Sequence, residues 1–600
     1  MRRHLLLKAI IVSLLLALPA PSSAKDAWTR VRSQNFTVVG NTSESDLRKL
    51  AVKLEQFRYV LSLLFPSAKI TTPTPTNIIL FKDQQSFDPF KPKYRGKTVK
   101  QIAGYFQSGD DVNYIALTKE LGATDPFQVI FHEFEHFVVH NNISNAPPWL
   151  DEGLAEFYST FEPLSELKVR IGVPIAWHVR TLRDRDILPL KTLLTVDRKS
   201  PYYNERDKVG IFYAQSWALV HFLMLGEGGK RQGQLTRFIQ QMNSGISPEE
   251  NFRQSFGSDY KTIEDALRSY VHKFQAPTLD VTFREMSFVK EMQADVLSEA
   301  EANYYLGDLH LRGGELKKAE ELLQKSTAQD ARFAPSRISL SALRLRQGRA
   351  EEAARLAHEA IAIDPKNYMG HLYLANILAQ QKQYEEAIKS YNRAATIKPD
   401  AWRIHAGLAR AYLGTGQDSE ASKAFSAALR LNPRNTNLNR AYSYAALGLR
   451  KGSLAAINAR VYLQRQGWRD DQSLYMVMVA HYGYRMAERS KEAAEVLGEA
   501  AQKSDTSGWP YPVVEYLQGK LTVEALLALA TDTDKKTEAH TYLGLDMSLK
   551  GEHEAALKHL RWVLENGNRD FIEYPLAVAE LNRLEEESRA REAGEKSGAP

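Results

Sequence analysis

Two histidines four residues apart, His132 and His136, with Glu133 directly after the first, form the part of this sequence best suited to chemistry. On an α-helix the side chains of residues i and i+4 lie on one face, so both imidazoles can bind the same metal ion. The carboxylate of Glu133 would then lie close enough to polarise a metal-bound water. This spacing predicts one half of a zinc hydrolase site.

The flanking residues predict that the motif lies in the middle of a buried helix. Asp125 can cap the helix and Pro126 suits its first turn, and neither glycine nor proline occurs in residues 127–140 before Asn141-Asn142. The helix is apolar on nearly all sides, which indicates burial. Buried histidines and glutamates need partners, and a shared metal ion would supply one; hydrogen bonds alone are the alternative.

A tetrahedral zinc site needs a third protein ligand and leaves its fourth position for water. His140 lies about 12 Å along the helix from the first histidine, too far to share one ion. The pattern with a later glycine and a third histidine fails, because Val139 and Asn142 occupy those places. Glu152 remains. It follows two prolines in a second predicted helix, whose antiparallel return would bring this carboxylate over the histidine pair.

The residues 132–136 together with Trp149-Leu150-Asp151-Glu152-Gly153-Leu154-Ala155 resemble the gluzincin metallopeptidases, in particular the peptidase MA-like proteins related distantly to zinc aminopeptidases. The resemblance implies an α+β gluzincin-type domain that binds one Zn²⁺ per chain through His132, His136 and Glu152. It also implies that Glu133 is the general base. The gap between the two motifs is shorter than in the aminopeptidases, and no Gly-x-Met-Glu-Asn motif is present, which argues against a pocket for a substrate's amino terminus.

The same resemblance suggests two further roles. In related gluzincins an acidic residue one turn after the glutamate ligand holds a zinc-bound histidine, which assigns this role to Glu156. Alternatively, Asp151 or Glu156 is an ordinary solvated residue. The donor that stabilises the oxyanion is often a tyrosine or histidine, and we choose Tyr213, in a helix predicted from residue 209 to 225. Three other residues are equally compatible with the sequence: Tyr202, Tyr203 and His178.

The sequence before the motif predicts alternating strands and helices. Strands are expected at residues 36–39 and 77–81, with a helix at about 43–65 between them. Residues 103–106 and 112–117 predict a hairpin directly before the metal helix. In related peptidases a strand here borders the cleft, where an extended substrate can pair with its edge. Residues 160–280 are expected to be mostly helical and to complete a peptidase domain at 25–285.

The second half of the chain repeats every 34 residues, which is the tetratricopeptide period. The recurring positions are Pro365, Pro399 and Pro433, then Ala353, Ala387 and Ala421, and then Ala360, Ala394 and Ala428. We expect tetratricopeptide repeats at 295–435, degenerate repeats at 436–585 and a disordered charged tail at 586–600. Stacked repeats form an all-α superhelix whose concave face usually binds a protein or peptide partner.

The amino terminus predicts a secretory signal peptide at residues 1–24, with a basic start, an apolar stretch and Ser22-Ser23-Ala24 at the cleavage site. An uncleaved anchor is the alternative. The absence of cysteine excludes disulfides and a lipoprotein anchor, and we expect a periplasmic protein without stable membrane insertion. Cleavage would remove Arg2, Arg3 and Lys8 from a net charge of +6 and leave +3, too little to favour nucleic acid or membrane binding.

Two functions from different classes fit these observations. The first is an exported zinc peptidase, expected to be an endopeptidase, that hydrolyses an envelope protein or peptide with a zinc-bound water activated by Glu133. Its tetratricopeptide arm would recruit substrate or an adaptor. The second is an inactive peptidase-like scaffold for protein assembly in the envelope. The complete set of His132, Glu133, His136 and Glu152 favours the peptidase, because a decayed enzyme has no physical need to keep all four.

Overall fold

The structure, a computed structural model, describes most of the chain after residue 26. The described residues are 27–597 apart from 66–69, 71–73, 95–96, 99–101, 108, 110, 121–125, 144–145, 166, 198–199, 243–245, 274–276, 284–290 and 434. The predicted signal peptide and the predicted helix cap Asp125 lie outside them. The chain forms two compact units. The first comprises Met1–Val139, Pro148–Gly233 and Asp259–Gln347, and the second comprises His140–Pro147, Gln234–Ser258 and Gly348–Pro600.

Eleven strands are present in the described residues of the first unit. In chain order they are β1 Thr29–Arg32, β2 Thr37–Gly40, β3 Thr76–Phe81, β4 Lys93–Tyr94, β5 Lys97–Thr98, β6 Gly104–Gln107, β7 Asn113–Thr118, β8 Glu162–Ser165, β9 Lys168–Ile171, β10 Leu279–Thr282 and β11 Gln293–Val296. A mixed six-stranded sheet has the order β11-β1-β2-β3-β7-β6. Strands β2, β3 and β7 run parallel, and β6 pairs antiparallel with β7 at the edge. The expected strands and hairpin are therefore present.

The helices divide between the two units. Those up to α8 are α1 Glu44–Leu64, α2 Gln84–Phe87, α3 Pro126–Asn142, α4 Pro148–Ser159, α5 Ala176–Asp184, α6 Leu190–Thr195, α7 Pro201–Asn204 and α8 Arg206–Leu225. The next six are α9 Gln232–Gln241, α10 Pro248–Phe256, α11 Tyr260–His272, α12 Glu299–Arg312, α13 Leu316–Gln329 and α14 Ala334–Arg346. The remaining helices are α15 Ala350–Ile363, α16 Tyr368–Gln380, α17 Tyr384–Ile397, α18 Trp402–Gly414, α19 Asp418–Leu431, α20 Thr436–Gly448, α21 Gly452–Gln466, α22 Ser473–Met486, α23 Ser490–Lys503, α24 Tyr511–Leu517, α25 Val523–Leu529, α26 Thr533–Lys550, α27 His553–Asn566 and α28 Glu573–Ser597.

Aromatic packing between α1 and α3 anchors the predicted metal helix. The ring of Phe57 on α1 lies 4.5 Å from that of Phe131 and 5.8 Å from that of Phe134, measured between centroids. All three side chains are buried. Because α1 also packs on β1 and β2, the helix that carries the histidines is attached to the sheet through this aromatic cluster.

Helix α8 provides the surface on which α4 packs. A Cβ atom at Gly153 would lie 2.6 Å from the backbone oxygen of Ser216 and 2.6 Å from a methyl group of Val220, so only glycine permits this close approach. A stretch that includes α8, Lys208–Gly229, is long and apolar enough to cross a membrane, and 72% of its apolar window is buried inside the structure. The core helix of a soluble protein has the same properties.

Residues 160–280 are mostly helical, as expected from the sequence. Residues 160–280 contain, besides helices, the strands β8, β9 and β10 of a three-stranded sheet. In β9 the alternating burial of Val169 and Ile171 is the period-two signal that could have predicted it. The first repeat helix, α12, packs on the six-stranded sheet, where Tyr114 of β7 donates a hydrogen bond to Asp308 at 2.8 Å. Next to it, Arg30 of β1 pairs with Asp295 of β11 at 2.5 Å.

In the second unit, consecutive helices form hairpins whose alanines allow close contact. The alanines at the repeated positions 353, 360, 387, 394, 421 and 428 are at most 1% exposed. The turns inside five successive hairpins of the chain share one conformation, with positive φ at Gly314, Gly348, Lys382, Gly416 and Arg450. These turns recur every 34 residues, so the backbone follows the sequence period also where the side-chain consensus fades.

The degenerate repeats are joined by buried carboxylates that bind across the helix stack. Glu538 on α26 accepts hydrogen bonds from Tyr475 at 3.1 Å and from Trp509 at 2.5 Å. Glu573 on α28 accepts from Tyr444 at 3.3 Å and from Tyr542 at 3.1 Å. These carboxylates are therefore occupied by contacts within the chain.

The predicted disordered tail at 586–600 differs from the structure, in which α28 continues to Ser597, the last described residue. Its charged residues support the helix by local pairing. Arg583 pairs with Glu580 at 2.6 Å and with Glu587 at 2.5 Å, three and four residues away. These pairs lie where the predicted tail begins and have the spacing of neighbours on one helix face.

Lys382 offers a test of the turn geometry. A non-glycine residue with positive φ is strained, so we predict that Lys382→Gly raises the free energy of unfolding by about 0.5–1 kcal/mol. The matched control is Lys389→Gly, in the exposed interior of α17, which should lower it by about 1 kcal/mol. Chemical denaturation measures both changes, and equal effects of the two variants would contradict the assigned turn.

Glu538 predicts a pH dependence of stability. Burial raises the pKa of Glu538 from 4.5 to about 7, because its hydrogen-bond donors do not compensate for lost hydration. The protonated form is therefore favoured in the folded state: its stabilisation is complete below pH 4.5 and is lost as the pH rises through 7. We predict that the wild type loses about 2–3 kcal/mol of unfolding free energy through this carboxylate between pH 4.5 and 7.5, and that Glu538→Gln does not show this loss. Urea unfolding of the full chain measures both. Parallel pH profiles for both proteins would refute the assignment.

Candidate metal centre

Two antiparallel helices of the first unit, α3 and α4, bring the two sequence motifs together. Helix α3 carries His132 and His136 on one face, and α4 carries Glu152. The side chains of α4 around the glutamate are almost all buried, because Trp149, Leu150 and Leu154 fill the core and Gly153 lies against α8. The structure therefore places the predicted third ligand opposite the histidine pair.

The three predicted ligand atoms form a nearly equilateral triangle. The Nε2 atoms of His132 and His136 lie 3.0 Å apart, and Oε2 of Glu152 lies 3.5 Å from each of them. Bonds of about 2.0–2.1 Å to a tetrahedral zinc ion place its ligand atoms about 3.3 Å from one another. The observed separations match this value, and within the described residues these three side chains form the group able to hold a metal ion.

The hydrogen bonding of these atoms also fits a cation. Oε1 of Glu152 accepts a hydrogen bond from Tyr203 at 2.8 Å, but its buried Oε2 has no hydrogen-bond partner among the described residues. The two facing imidazole nitrogens cannot both present lone pairs at 3.0 Å without repulsion. One ion bound to two nitrogens and an oxygen would satisfy all three atoms, and this donor set suits zinc.

The charges around the triangle attract a positive species. Burial opposes the protonation of His136, but its contacts with the carboxylates of Asp151 and Glu152 outweigh burial and raise its pKa to about 10. Burial likewise opposes the ionisation of Glu152, yet the two histidines lower its pKa to about 2. A proton or a metal ion can supply the positive charge, and the two compete for the same nitrogen.

Each histidine presents its other ring nitrogen to a carboxylate of α4. Nδ1 of His136 lies 2.9 Å from Oδ1 of Asp151, and Nδ1 of His132 lies 3.8 Å from Oε1 of Glu156. Such partners orient imidazole ligands and fix the nitrogen that faces the metal. Glu156 is thus near one of the two histidines, whereas the shorter contact comes from Asp151, for which the sequence suggested only an ordinary solvated residue. The position of Asp151 among buried apolar residues of α4 was the available signal.

The four candidates for the oxyanion donor lie at different places relative to Glu152. Tyr213 and Tyr203 both lie at the glutamate ligand, with ring centroids 6.4 Å apart. Burial first, and then the Glu152 carboxylate, raises the pKa of Tyr213 well above its usual value, so it remains protonated and able to donate. Tyr202 instead lies beneath Lys208, whose ammonium is 6.0 Å from its ring centroid. His178 is fully buried beside Glu156.

Glu133 occupies the turn of α3 between the two histidines and is partly exposed. Among the described residues it makes neither a hydrogen bond nor an ion pair, in contrast to Asp151, Glu152 and Glu156. Its carboxylate is therefore available to exchange a proton. The side chain of His140, eight residues beyond the first histidine, lies outside the described part of the chain.

Comparison with known proteins concerns the repeats. Tetratricopeptide repeat family models match residues 291–333 and 341–401 and, in a second model, 378–443. These are tetratricopeptide repeats. They build the helical superhelix of the carboxyl-terminal part, whereas the amino-terminal part combines sheets and helices. The matched residues lie outside the candidate metal centre, so they do not bear on its chemistry.

Solved structures similar to this chain include pilF of Pseudomonas aeruginosa, at 21% identity over 34% of this chain and 91% of that one, with a TM-score of 0.30. PilW, a widely conserved type IV pilus biogenesis factor, matches at 13% identity over 38% and 100%, with a TM-score of 0.31. A tetratricopeptide repeat protein of Parabacteroides merdae matches at 13% identity over 47% and 99%, with a TM-score of 0.30. At these scores the likeness carries no functional argument.

Asp151 provides a test of the metal centre. We predict that Asp151→Asn raises the zinc dissociation constant about 10- to 100-fold, because the imidazole of His136 loses its charged partner. The matched control is Asp186→Asn, the same change at an exposed position of the first unit, which should leave zinc affinity unchanged. Competition against a chromophoric chelator measures both, and wild-type affinity in Asp151→Asn would exclude its proposed role.

Proposed function

We propose that this chain is an exported zinc-dependent peptidase of the gluzincin type, acting as an endopeptidase on an envelope protein or peptide. The observation that carries the proposal is the triangle of His132, His136 and Glu152, with the unengaged carboxylate of Glu133 one residue from a ligand. A structural zinc site is closed by four protein ligands, whereas three ligands with a free fourth position are typical of a catalytic site. The added glutamate is what a hydrolase requires.

The residues of the centre divide the chemistry among them. A zinc ion held by the triangle would act as a Lewis acid, lowering the pKa of water towards about 7 and polarising the scissile carbonyl. Glu133 takes the proton of the attacking water and returns it to the leaving amine. Tyr213, kept protonated by its surroundings, is the candidate donor to the oxyanion, and Tyr203 shares its position at Glu152.

The edge of the six-stranded sheet suits an extended substrate. Strand β6 pairs with β7 on one side only, and the chain leads from β7 into α3. An extended peptide can add to such an edge through main-chain hydrogen bonds, which select flexible or unfolded substrates rather than particular side chains. The absence of the aminopeptidase motif Gly-x-Met-Glu-Asn supports cleavage at internal bonds.

The tetratricopeptide arm supplies the recognition of a protein partner in this proposal. Repeats of this kind bind proteins or peptides on their faces, and a recruited substrate or adaptor would explain their fusion to a peptidase. The predicted signal peptide supports a periplasmic location. The same repeats favour the second candidate function, a scaffold with an inactive peptidase-like unit, because protein binding is the property that tetratricopeptide repeats provide.

Glu133→Gln distinguishes the two functions. We predict that this variant loses at least about 100-fold in kcat/KM for unfolded casein while its zinc content stays that of the wild type, since a general base but no ligand is removed. The matched control is Glu162→Gln, an exposed glutamate of the same unit.

Zinc-loaded wild-type protein without peptidase activity would support the scaffold. Full activity of Glu133→Gln would remove Glu133 from the mechanism, and fragments produced by cleavage at internal bonds would identify an endopeptidase.

A further inference from the structure

His178 is a fully buried histidine that belongs to none of the roles described above. It lies on α5 with 0% of its surface exposed. We propose that His178 is a positioning residue of the metal centre, which holds the carboxylate of Glu156 against the zinc-binding His132. This inference rests on the proposed function, because it assigns the orientation of one of the proposed ligands.

The contacts place one carboxylate between two imidazoles. Oε2 of Glu156 lies 3.3 Å from Nε2 of His178, and Oε1 of the same carboxylate lies 3.8 Å from Nδ1 of His132. The second distance exceeds a normal hydrogen bond, so this contact by itself does not hold Glu156 in place. At the other histidine ligand, Asp151 makes a direct contact of 2.9 Å and is itself 3% exposed. Glu156 therefore needs support from its far side.

Two indole rings determine the orientation of His178. Its ring centroid lies 3.7 Å from that of Trp177, and it stacks on Trp217 of α8 at 5.5 Å with an angle of 17° between the planes. Between these apolar faces, neither Nδ1 nor Nε2 of His178 meets the geometry of a hydrogen bond within the described residues, and the 3.3 Å approach of Nε2 to Glu156 is a charge contact. A buried polar ring needs a partner, and the carboxylate of Glu156 is the acceptor within reach of Nε2.

The packing of α5 on α8 is thereby linked to the proposed metal site through a series of contacts that runs from Trp217 to His178, Glu156 and His132. Loss of the Nε2 donor would let the Glu156 carboxylate, whose side chain is 14% exposed, rotate away from the ligand. His132 would then bind the metal with a less restricted ring. The expected effect is weaker zinc binding with an altered ligand field, because outer partners set the orientation and basicity of imidazole ligands.

The test compares three substitutions that differ in where they place a donor. His178→Gln puts an amide nitrogen near the position of Nε2, His178→Asn puts it near Nδ1, and His178→Leu has none. The full-length protein is titrated with zinc against a chelator, and the visible spectrum is recorded after substitution by cobalt. We expect the Asn and Leu variants to bind zinc about 10-fold more weakly with a changed cobalt spectrum, and the Gln variant to stay within about 2-fold of the wild type.

His272→Gln, at the exposed end of α11, is the control for loss of a histidine. Thermal unfolding accompanies each titration. Zinc affinity and cobalt spectra equal to those of the wild type in all three variants would overturn the proposal. Equal weakening in the Gln and Asn variants, in parallel with lost thermal stability, would also overturn it in favour of a purely structural histidine. Wild-type protein that binds no zinc would reject the metal centre itself, which is a distinct result.

Discussion

The first unit depends on a close convergence of two nitrogen atoms and one carboxylate oxygen within a largely buried space. Lone pairs at separations of 3.0–3.5 Å repel one another unless a positive species lies between them. Burial makes this requirement stronger, because water cannot screen the charges or satisfy Oε2 of Glu152. The arrangement is therefore stable only with a cation or proton at its centre, and three converging donor atoms suit a metal better than a proton.

The rest of the unit supports this convergence. Phenylalanines attach the histidine helix to α1 and thereby to the sheet, while Gly153 lets α4 approach α8 more closely than any side chain would allow. Carboxylates of α4 then hold the imidazoles from behind. The same helix supplies Asp151, Glu152 and Glu156, so one element carries both a proposed ligand and the carboxylates that face the two histidines. Several groups of one helix must therefore be held in fixed positions, which explains why the motif around Glu152 is dense in buried residues.

The parts of the structure that follow from periodicity could be predicted from the sequence. The spacing of His132 and His136 specifies a helix face, and the 34-residue interval specifies helical hairpins down to the conformation of their turns. The carboxylate that would contact each histidine was harder to predict, because it depends on how α4 is rotated and shifted against α3, which the sequence does not specify. Contacts between residues far apart in the chain could not be predicted from the sequence. Tyr114, for example, donates a hydrogen bond to Asp308, 194 residues away, and this contact joins the first repeat helix to the sheet.

The central claim is that zinc binds at the triangle, and X-ray absorption at the zinc edge of the purified, zinc-loaded protein tests it most directly. The account predicts one zinc per chain with two imidazole nitrogens and additional oxygen ligands at about 2.0–2.1 Å, and loss of this signature in a variant with His132 and His136 both replaced by alanine. A zinc shell without imidazole scattering, or an identical spectrum in that variant, would contradict it.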